Sequence, residues 1–176
     1  MAEETTVQDR TNPWLTAAAD AAARLPAEQT AAADRDEPSA GLRTVFVAAH
    51  GGAGATTWAH VLGGTDGGPE MPDDGTPVVL VARASVAGID AAKRILAAHA
   101  AAVACVLIVP AAPGRPHRVI RNELRVLAGA APLVHAPWVP ALLAMRPAQA
   151  GPDDIPPKDL ARLRAALPPT REGDIP

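Results

Sequence analysis

A glycine-rich stretch between an apolar run and a helix-like segment carries the residues best suited to bind an anion. The stretch HGGAGATT covers residues 50–57 and contains Gly51, Gly52 and Gly54. Glycine adopts positive φ at little cost and lets backbone N–H groups approach a ligand closely. When such a loop opens into a helix, its N–H groups can hold a phosphate or a carboxylate. The candidate anion-binding residues of this loop are Gly51, Gly52, Ala53, Gly54, Ala55, Thr56 and Thr57.

Two arginines near the ends of later apolar runs could add positive charge to the same site. Arg83 follows the run VVLVA, and Arg115 lies five residues beyond the run VACVLIVP. Because the carboxyl ends of parallel strands meet at one edge of a sheet, we expect both arginines beside the glycine loop. Guanidinium groups suit bidentate contact with phosphate or carboxylate. In the alternative interpretation, both are solvated rim residues, since exposed arginines are common.

Alternating apolar runs and helical patterns predict the elements that position these residues. Four apolar runs predict strands buried on both sides: 44–49, 76–83, 103–110 and 132–139. Three segments with helical periodicity separate them: 55–64, 86–102 and 115–130. The acidic, glycine-rich stretch 65–75 is predicted to be a solvated loop. This alternation predicts an α/β fold with a small parallel sheet of about four strands flanked by helices in three layers.

The composition divides the chain into three parts. Residues 1–40 are acidic, contain no strand pattern and predict a flexible N-terminal arm with one short helix that starts near Pro13. Residues 41–145 carry the α/β pattern. Residues 146–176 form a proline-rich tail whose amphipathic piece, 157–167, either caps the domain or contacts a partner.

The N-terminal arm and the sheet edges are the predicted contacts with other proteins. Trp14 and Leu15 are the large apolar residues of the arm's helical segment. They either fold back on the domain or dock a protein partner, since a large aromatic supplies much of the energy of a small interface. A four-stranded sheet also leaves edges that the arm, the tail helix or a second subunit in a homodimer could cover.

Charge and composition exclude several classes of function. The net charge of −3 argues against a sequence-specific nucleic-acid partner held by phosphate contacts. The single cysteine, Cys105, excludes an internal disulfide or a cysteine-based metal cluster and is predicted to lie in the core, as is Trp58. The apolar runs are too short for a membrane span, and the acidic N-terminus does not resemble a secretory signal. We therefore expect a cytoplasmic protein without a metal site.

The stretch AHGGAGATT resembles the deviant Walker A loop of the ParA/MinD-like partition ATPases, whose pattern is x-K-G-G-x-G-K-T-[TS]. Five positions match: Gly51, Gly52, Gly54, Thr56 and Thr57. The resemblance implies a P-loop NTPase-like sandwich over roughly residues 43–145, ATP or ADP at the loop and, where Mg²⁺ is used, Thr56 as its ligand. PLVHAPWVP resembles the loop that borders the base in that family, so Trp138 either contacts a base or packs against the end of the sheet.

The chain also resembles a small group of actinobacterial proteins with the same degenerate loop and an NPWL arm. Some members of that group accompany secretion- or conjugation-type machinery. The resemblance implies such machinery as a partner of this chain.

The departures from the ATPase pattern decide the functional hypothesis. His50 and Ala55 replace the two lysines, and no apolar run is followed directly by an acid that would bind Mg²⁺. The sequence therefore favours a degenerate P-loop protein that acts as a binding or scaffolding component, without catalytic residues and not as an efficient ATPase. Two alternatives stay open: an unconventional ATPase in which an arginine replaces the lysine, and a binder of a small phosphorylated ligand.

Overall fold

The computed structural model describes residues 44–168 and contains a five-stranded, all-parallel sheet between two layers of helices. The strands are β1 Val45–Ala48, β2 Thr65–Asp66, β3 Val78–Arg83, β4 Val103–Val109 and β5 Leu133–His135. Their order across the sheet is β2-β1-β3-β4-β5. The predicted α/β class with a parallel sheet is confirmed. The predicted arm, including Trp14 and Leu15, lies outside the described residues.

Four α-helices cover the two faces of this sheet. They are α1 Ala55–Leu62, α2 Val86–His99, α3 Arg118–Ala128 and α4 Pro157–Ala166. Helices α1 and α4 pack on one face, where Trp58 and Leu163 share a core with Phe46 of β1. Helices α2 and α3 pack on the other face, where Ile89 and Leu127 are fully enclosed. The strands are buried on both sides because each face has its own helical layer.

The fifth strand lies in a segment that the sequence predicts to be a loop. Thr65 and Asp66 pair in parallel with Val45 and Phe46, although two polar residues between glycine pairs form no apolar pattern. The flanking glycines allow this close pairing. A Cβ at Gly64 would overlap the Phe46 ring, and one at Gly67 would lie 2.7 Å from Val45 Cγ1. The prediction of about four strands therefore falls one short, and Asp66 stands at a strand end.

The strand order places a topological switch point between β1 and β3. The chain leaves β1 toward β2 on one side and then returns to β3 on the other side of β1. In open parallel sheets, ligands bind in the crevice beyond the carboxyl ends of the strands at such a point. The glycine loop follows β1, and Arg83 ends β3, so both lie at the switch point.

The C-terminal segment completes the layer that contains α1. Short 3₁₀ turns at Pro140–Leu143, Pro147–Gln149 and Pro152–Asp154 lead into α4. Ala150, Ile155 and Leu163 are at most 6% exposed and share the core of β1 and α1. As far as residue 168, the predicted tail is thus packed onto the sheet, and α4 caps the domain.

Two predicted core residues are confirmed. Cys105 is 3% exposed and Trp58 is 2% exposed, both in the core on the α1 side. Burial raises the pKa of the Cys105 thiol to about 11, which keeps it protonated near neutral pH. Among residues 44–168, no helix combines the length and the apolar character that crossing a bilayer requires.

Candidate anion-binding site

The loop between β1 and α1 has a backbone that requires glycine at two positions. Gly52 has φ of 75° and Gly54 has φ of 97°, both in the left-handed region. The N–H of Ala53 donates to the His50 carbonyl over 3.1 Å, which closes a tight turn. Gly54 is the N-cap of α1, and no side chain caps this helix end. The first turn of α1 is therefore left open toward the loop.

The open turn leaves a set of backbone donors available to a ligand. In the described part of the chain, no hydrogen bond uses the N–H groups of Gly51, Gly52, Gly54, Ala55, Thr56 and Thr57. The first intrahelical bond is made by the N–H of Trp58, which donates to the Gly54 carbonyl over 3.0 Å. Unpaired N–H groups at a helix start carry partial positive charge and attract anions. The loop thus retains the backbone half of a phosphate-binding loop.

The position of the missing lysine is buried. Ala55 is 4% exposed and belongs to the core that also contains Trp58. Thr56 and Thr57 are half-buried and border the space around the loop. A methyl group in this core provides no charge, so any positive charge at the loop must come from another element.

His50, which replaces the first lysine of the pattern, joins the loop to β3. Its Nδ1 donates to the Gly51 carbonyl over 2.8 Å, and its Nε2 accepts the N–H of Arg83 over 3.3 Å. This pair of bonds requires the neutral tautomer with the proton on Nδ1. The ring also lies against the first turn of α2, because a Cβ at Gly88 would come within 2.9 Å of Nε2. The sequence carries no signal for this contact, since His50 and Arg83 are 33 residues apart.

On one side of the loop lies a cavity of about 260 Å³, which we call the Arg83 cavity. Its polar lining consists of Arg83, Thr57 and the backbone of residues 52–54. Its apolar wall includes Trp58, Val109, Pro110, Trp138, Leu142 and Pro147. None of its lining residues bears a carboxylate. The structure therefore brings Trp138, the glycine loop and one arginine to the lining of a single cavity.

On the other side lies a cavity of about 530 Å³, which we call the Asp66 cavity. It is lined by residues 48–57, by Asp66 at the end of β2 and by Ile95 of α2. Asp66 is exposed, and its Oδ1 accepts the N–H of Gly68 over 3.0 Å. No apolar run ends in an acid, but the short polar strand β2, which the sequence pattern did not predict, does. The acid escaped prediction because its strand has only two residues.

Arg115 is not brought to the glycine loop. Strand β4 ends at Val109, and a proline-rich connection separates that end from Arg115. Arg115 is exposed and lines a different cavity of about 160 Å³ with His117 and Ile120. Of the two predicted arginines, only Arg83 borders the loop.

The donors at the loop fit a phosphate better than they fit the Mg²⁺-ATP that the resemblance implies. Free N–H groups and Arg83 match the oxygens of an anion. No lysine replaces the buried Ala55, and β3 and β4 end in Arg83 and Val109 instead of acids. Within residues 44–168, no group of three or more His, Cys, Asp or Glu side chains is arranged to hold a metal ion. The described residues therefore offer more donors for a phosphate than ligands for a metal ion, and Asp66 is the one carboxylate that lines either cavity.

Comparison of the chain with protein-family models, with curated proteins and with solved structures finds no match in any of the three. The functional proposal therefore depends on the fold, on the geometry of the glycine loop and on the resemblance of that loop to partition ATPases.

Proposed function

We infer that the chain is a degenerate P-loop protein of the ParA/MinD type that binds an anion without Mg²⁺. It works as a binding or scaffolding component and not as an efficient ATPase. One observation carries this proposal: the glycine loop and Arg83 line one cavity, while the lysine position is a buried Ala55. An arginine that lies beside the N-terminus of a helix can neutralise a phosphate without a metal ion.

The absence of catalytic groups on the Arg83 side supports a binding role. ATP hydrolysis needs charge neutralisation at the transferred phosphoryl group and a residue that positions the attacking water. The Arg83 cavity contains a guanidinium and the Thr57 hydroxyl but no carboxylate among its lining residues. These groups can hold a phosphate in its ground state, and none of them can act as a general base.

Calorimetry with inorganic phosphate, ADP and ATP, each with Mg²⁺ and with EDTA, tests this proposal. We expect inorganic phosphate to bind with the same affinity in both buffers, because Arg83 and the loop N–H groups make the contacts. Tight ATP binding that requires Mg²⁺, accompanied by phosphate release, would overturn the proposal.

An unconventional ATPase is the second candidate function, and Asp66 is the observation that favours it. Asp66 and Thr56 line the same cavity beside the loop, and a carboxylate with a hydroxyl is a donor pair that Mg²⁺ accepts. In this alternative Arg83 replaces the lysine at the phosphates. A steady-state assay of phosphate release from ATP distinguishes the two candidates, because only the ATPase turns over.

The scaffolding half of the proposal concerns contacts with other proteins in the cytoplasm. Trp14 and Leu15 of the arm are the proposed docking residues, and secretion- or conjugation-type machinery is the proposed partner. The edge strands β2 and β5, of two and three residues, offer short edges for a homodimer or a partner strand.

Two experiments test these contacts. Sedimentation at two protein concentrations tests the homodimer. Comparing the partners captured by the Trp14→Ala variant with those captured by the unchanged chain tests the arm.

A further inference from the structure

We propose that the Arg83 cavity binds a compact aromatic acid, with one phosphate or carboxylate group on a flat apolar body, and not a nucleotide. This inference rests on the proposed function, because it takes the glycine loop as the anionic end of the site. It goes further by assigning the other end of the cavity to an apolar body.

The walls of the cavity determine the character of that body. Away from the loop, the lining consists of Trp138 together with apolar residues: Val109, Val139, Leu142, Leu143 and three prolines. The side chains with hydrogen-bonding groups are Arg83, Thr57 and the two tryptophans, and none is a carboxylate or an amide. A ribose and a base need several polar partners, whereas an unsubstituted ring needs only apolar contact. The wall therefore favours an aromatic body over a nucleoside.

Trp58 provides an independent indication of a ligand at the loop end. Its side chain is 2% exposed, and no hydrogen bond among the described residues uses its indole N–H. The edge of the ring that carries this N–H faces the loop, because a Cβ at Gly54 would lie 3.5 Å from Cδ1 and 3.9 Å from Nε1. No buried side-chain nitrogen or oxygen of the described residues lacks a partner, so solvent reaches this N–H, and an anion between it and Arg83 would accept its hydrogen bond.

The size of the cavity suits a small ligand. Its volume of about 260 Å³ is below the roughly 300–1,000 Å³ of pockets that enclose drug-sized ligands. An apolar cavity of roughly 150 Å³ is sufficient for benzene. The volume of the Arg83 cavity is therefore sufficient for a single ring with one anionic group. The larger Asp66 cavity does not extend the site for an anion, because it carries a carboxylate.

Tryptophan fluorescence gives a direct measurement of this binding. In a Trp14→Phe background, the remaining indoles are Trp58 and Trp138, and both line the cavity. The probes are phenyl phosphate, phenylacetate, inorganic phosphate and the neutral benzyl alcohol. We expect phenyl phosphate to change the emission and to bind roughly 10- to 100-fold more tightly than inorganic phosphate, because its ring is removed from water. Comparing phenyl phosphate with phenylacetate distinguishes the two anionic groups.

Three variants assign the two ends of the ligand. Arg83→Gln should weaken phenyl phosphate roughly tenfold or more, because it removes a charged hydrogen bond. Trp138→Ala, at a half-buried position, should weaken phenyl phosphate about tenfold and leave inorganic phosphate unchanged. Arg94→Gln is the matched control, since this exposed residue of α2 lines neither cavity, and its affinities should stay the same.

The outcomes separate this inference from the proposed function. If inorganic phosphate binds without Mg²⁺ but phenyl phosphate binds no more tightly, the aromatic body is wrong and the anion-binding function stands. If benzyl alcohol binds as well as phenyl phosphate, the anionic end is wrong. If only ATP with Mg²⁺ binds, both proposals fall.

Discussion

The two sides of the glycine loop share their backbone and differ in nearly everything else. Residues 52–54, Thr57 and Pro147 border both cavities. The Arg83 cavity adds a guanidinium and two tryptophans, whereas the Asp66 cavity adds an exposed carboxylate. The backbone of the glycine loop therefore does not define a ligand by itself. The side chains that neighbouring strands bring to each side determine which charge it accepts.

The solvent exposure of Arg83 and Asp66 makes the two cavities differ further in how strongly they act on an anion. Arg83 is half-buried beside apolar walls, where the attraction between a guanidinium and an anion is less weakened by water. Asp66 is exposed, so solvent and salt screen its repulsion of an anion. We therefore expect the attraction on the Arg83 side to exceed the repulsion on the Asp66 side.

The largest expected effect is a loss of stability when the packing of Gly88 against His50 and the Arg83 carbonyl is disturbed. A Cβ at Gly88 would overlap the Arg83 carbonyl and press on the His50 ring, so backbone must move. We expect Gly88→Ala to lower the free energy of unfolding by about 3 kcal/mol, the upper end of the usual range for overpacking. Urea denaturation measures the change.

A second glycine of the same region is the control for this variant. Gly51 has neither a left-handed φ nor any atom within 4 Å of an added Cβ. Gly51→Ala should leave the free energy of unfolding unchanged or raise it by up to about 1 kcal/mol. If Gly88→Ala and Gly51→Ala lower the free energy of unfolding equally, the packing of Gly88 against His50 does not stabilise the loop.

The next effect concerns which arginine serves the loop. Arg83→Gln should weaken binding of inorganic phosphate roughly tenfold, because a hydrogen bond to a charged group is lost. Arg115→Gln should leave this affinity unchanged, since Arg115 lines another cavity. Titration followed by calorimetry measures both. A larger loss in Arg115→Gln would restore the arrangement that the sequence predicts and contradict the assignment to Arg83.

The smallest expected effect concerns the acidic side. Asp66→Asn removes an exposed negative charge from the neighbourhood of the loop, so phosphate affinity without Mg²⁺ should rise only about two- to threefold. The same titration at high salt should reduce the gain. If Asp66 instead holds Mg²⁺ in an ATPase, the substitution will weaken binding of ATP with Mg²⁺, and the second candidate function is then favoured.

Local pattern predicted most of the secondary structure. The apolar runs became β1, β3, β4 and β5, and the helical segments became the four α-helices, with ends displaced by at most a few residues. Arg83 was predicted at a strand end because it directly follows its apolar run. These features depend on residues that are close in the sequence, so the periodicity of apolar residues predicts them.

Contacts between distant segments escaped prediction. Strand β2 forms because Gly64 and Gly67 permit close pairing with β1, not because its two residues favour a strand. The hydrogen bond between His50 and the Arg83 backbone joins two strand ends. Arg115 was misplaced because strand order alone does not fix the path of the connection that follows β4.

The sequence by itself determined the α/β class, the glycine loop and the loss of both lysines, because each is written in residue type and local spacing. Tertiary structure decided what stands on either side of that loop. Arg83 and Trp138 meet across one cavity, and Asp66 reaches the other, because the strand order β2-β1-β3-β4-β5 gathers their carboxyl ends. These charged and apolar residues border the same loop only because the parallel sheet brings its strand ends to one edge.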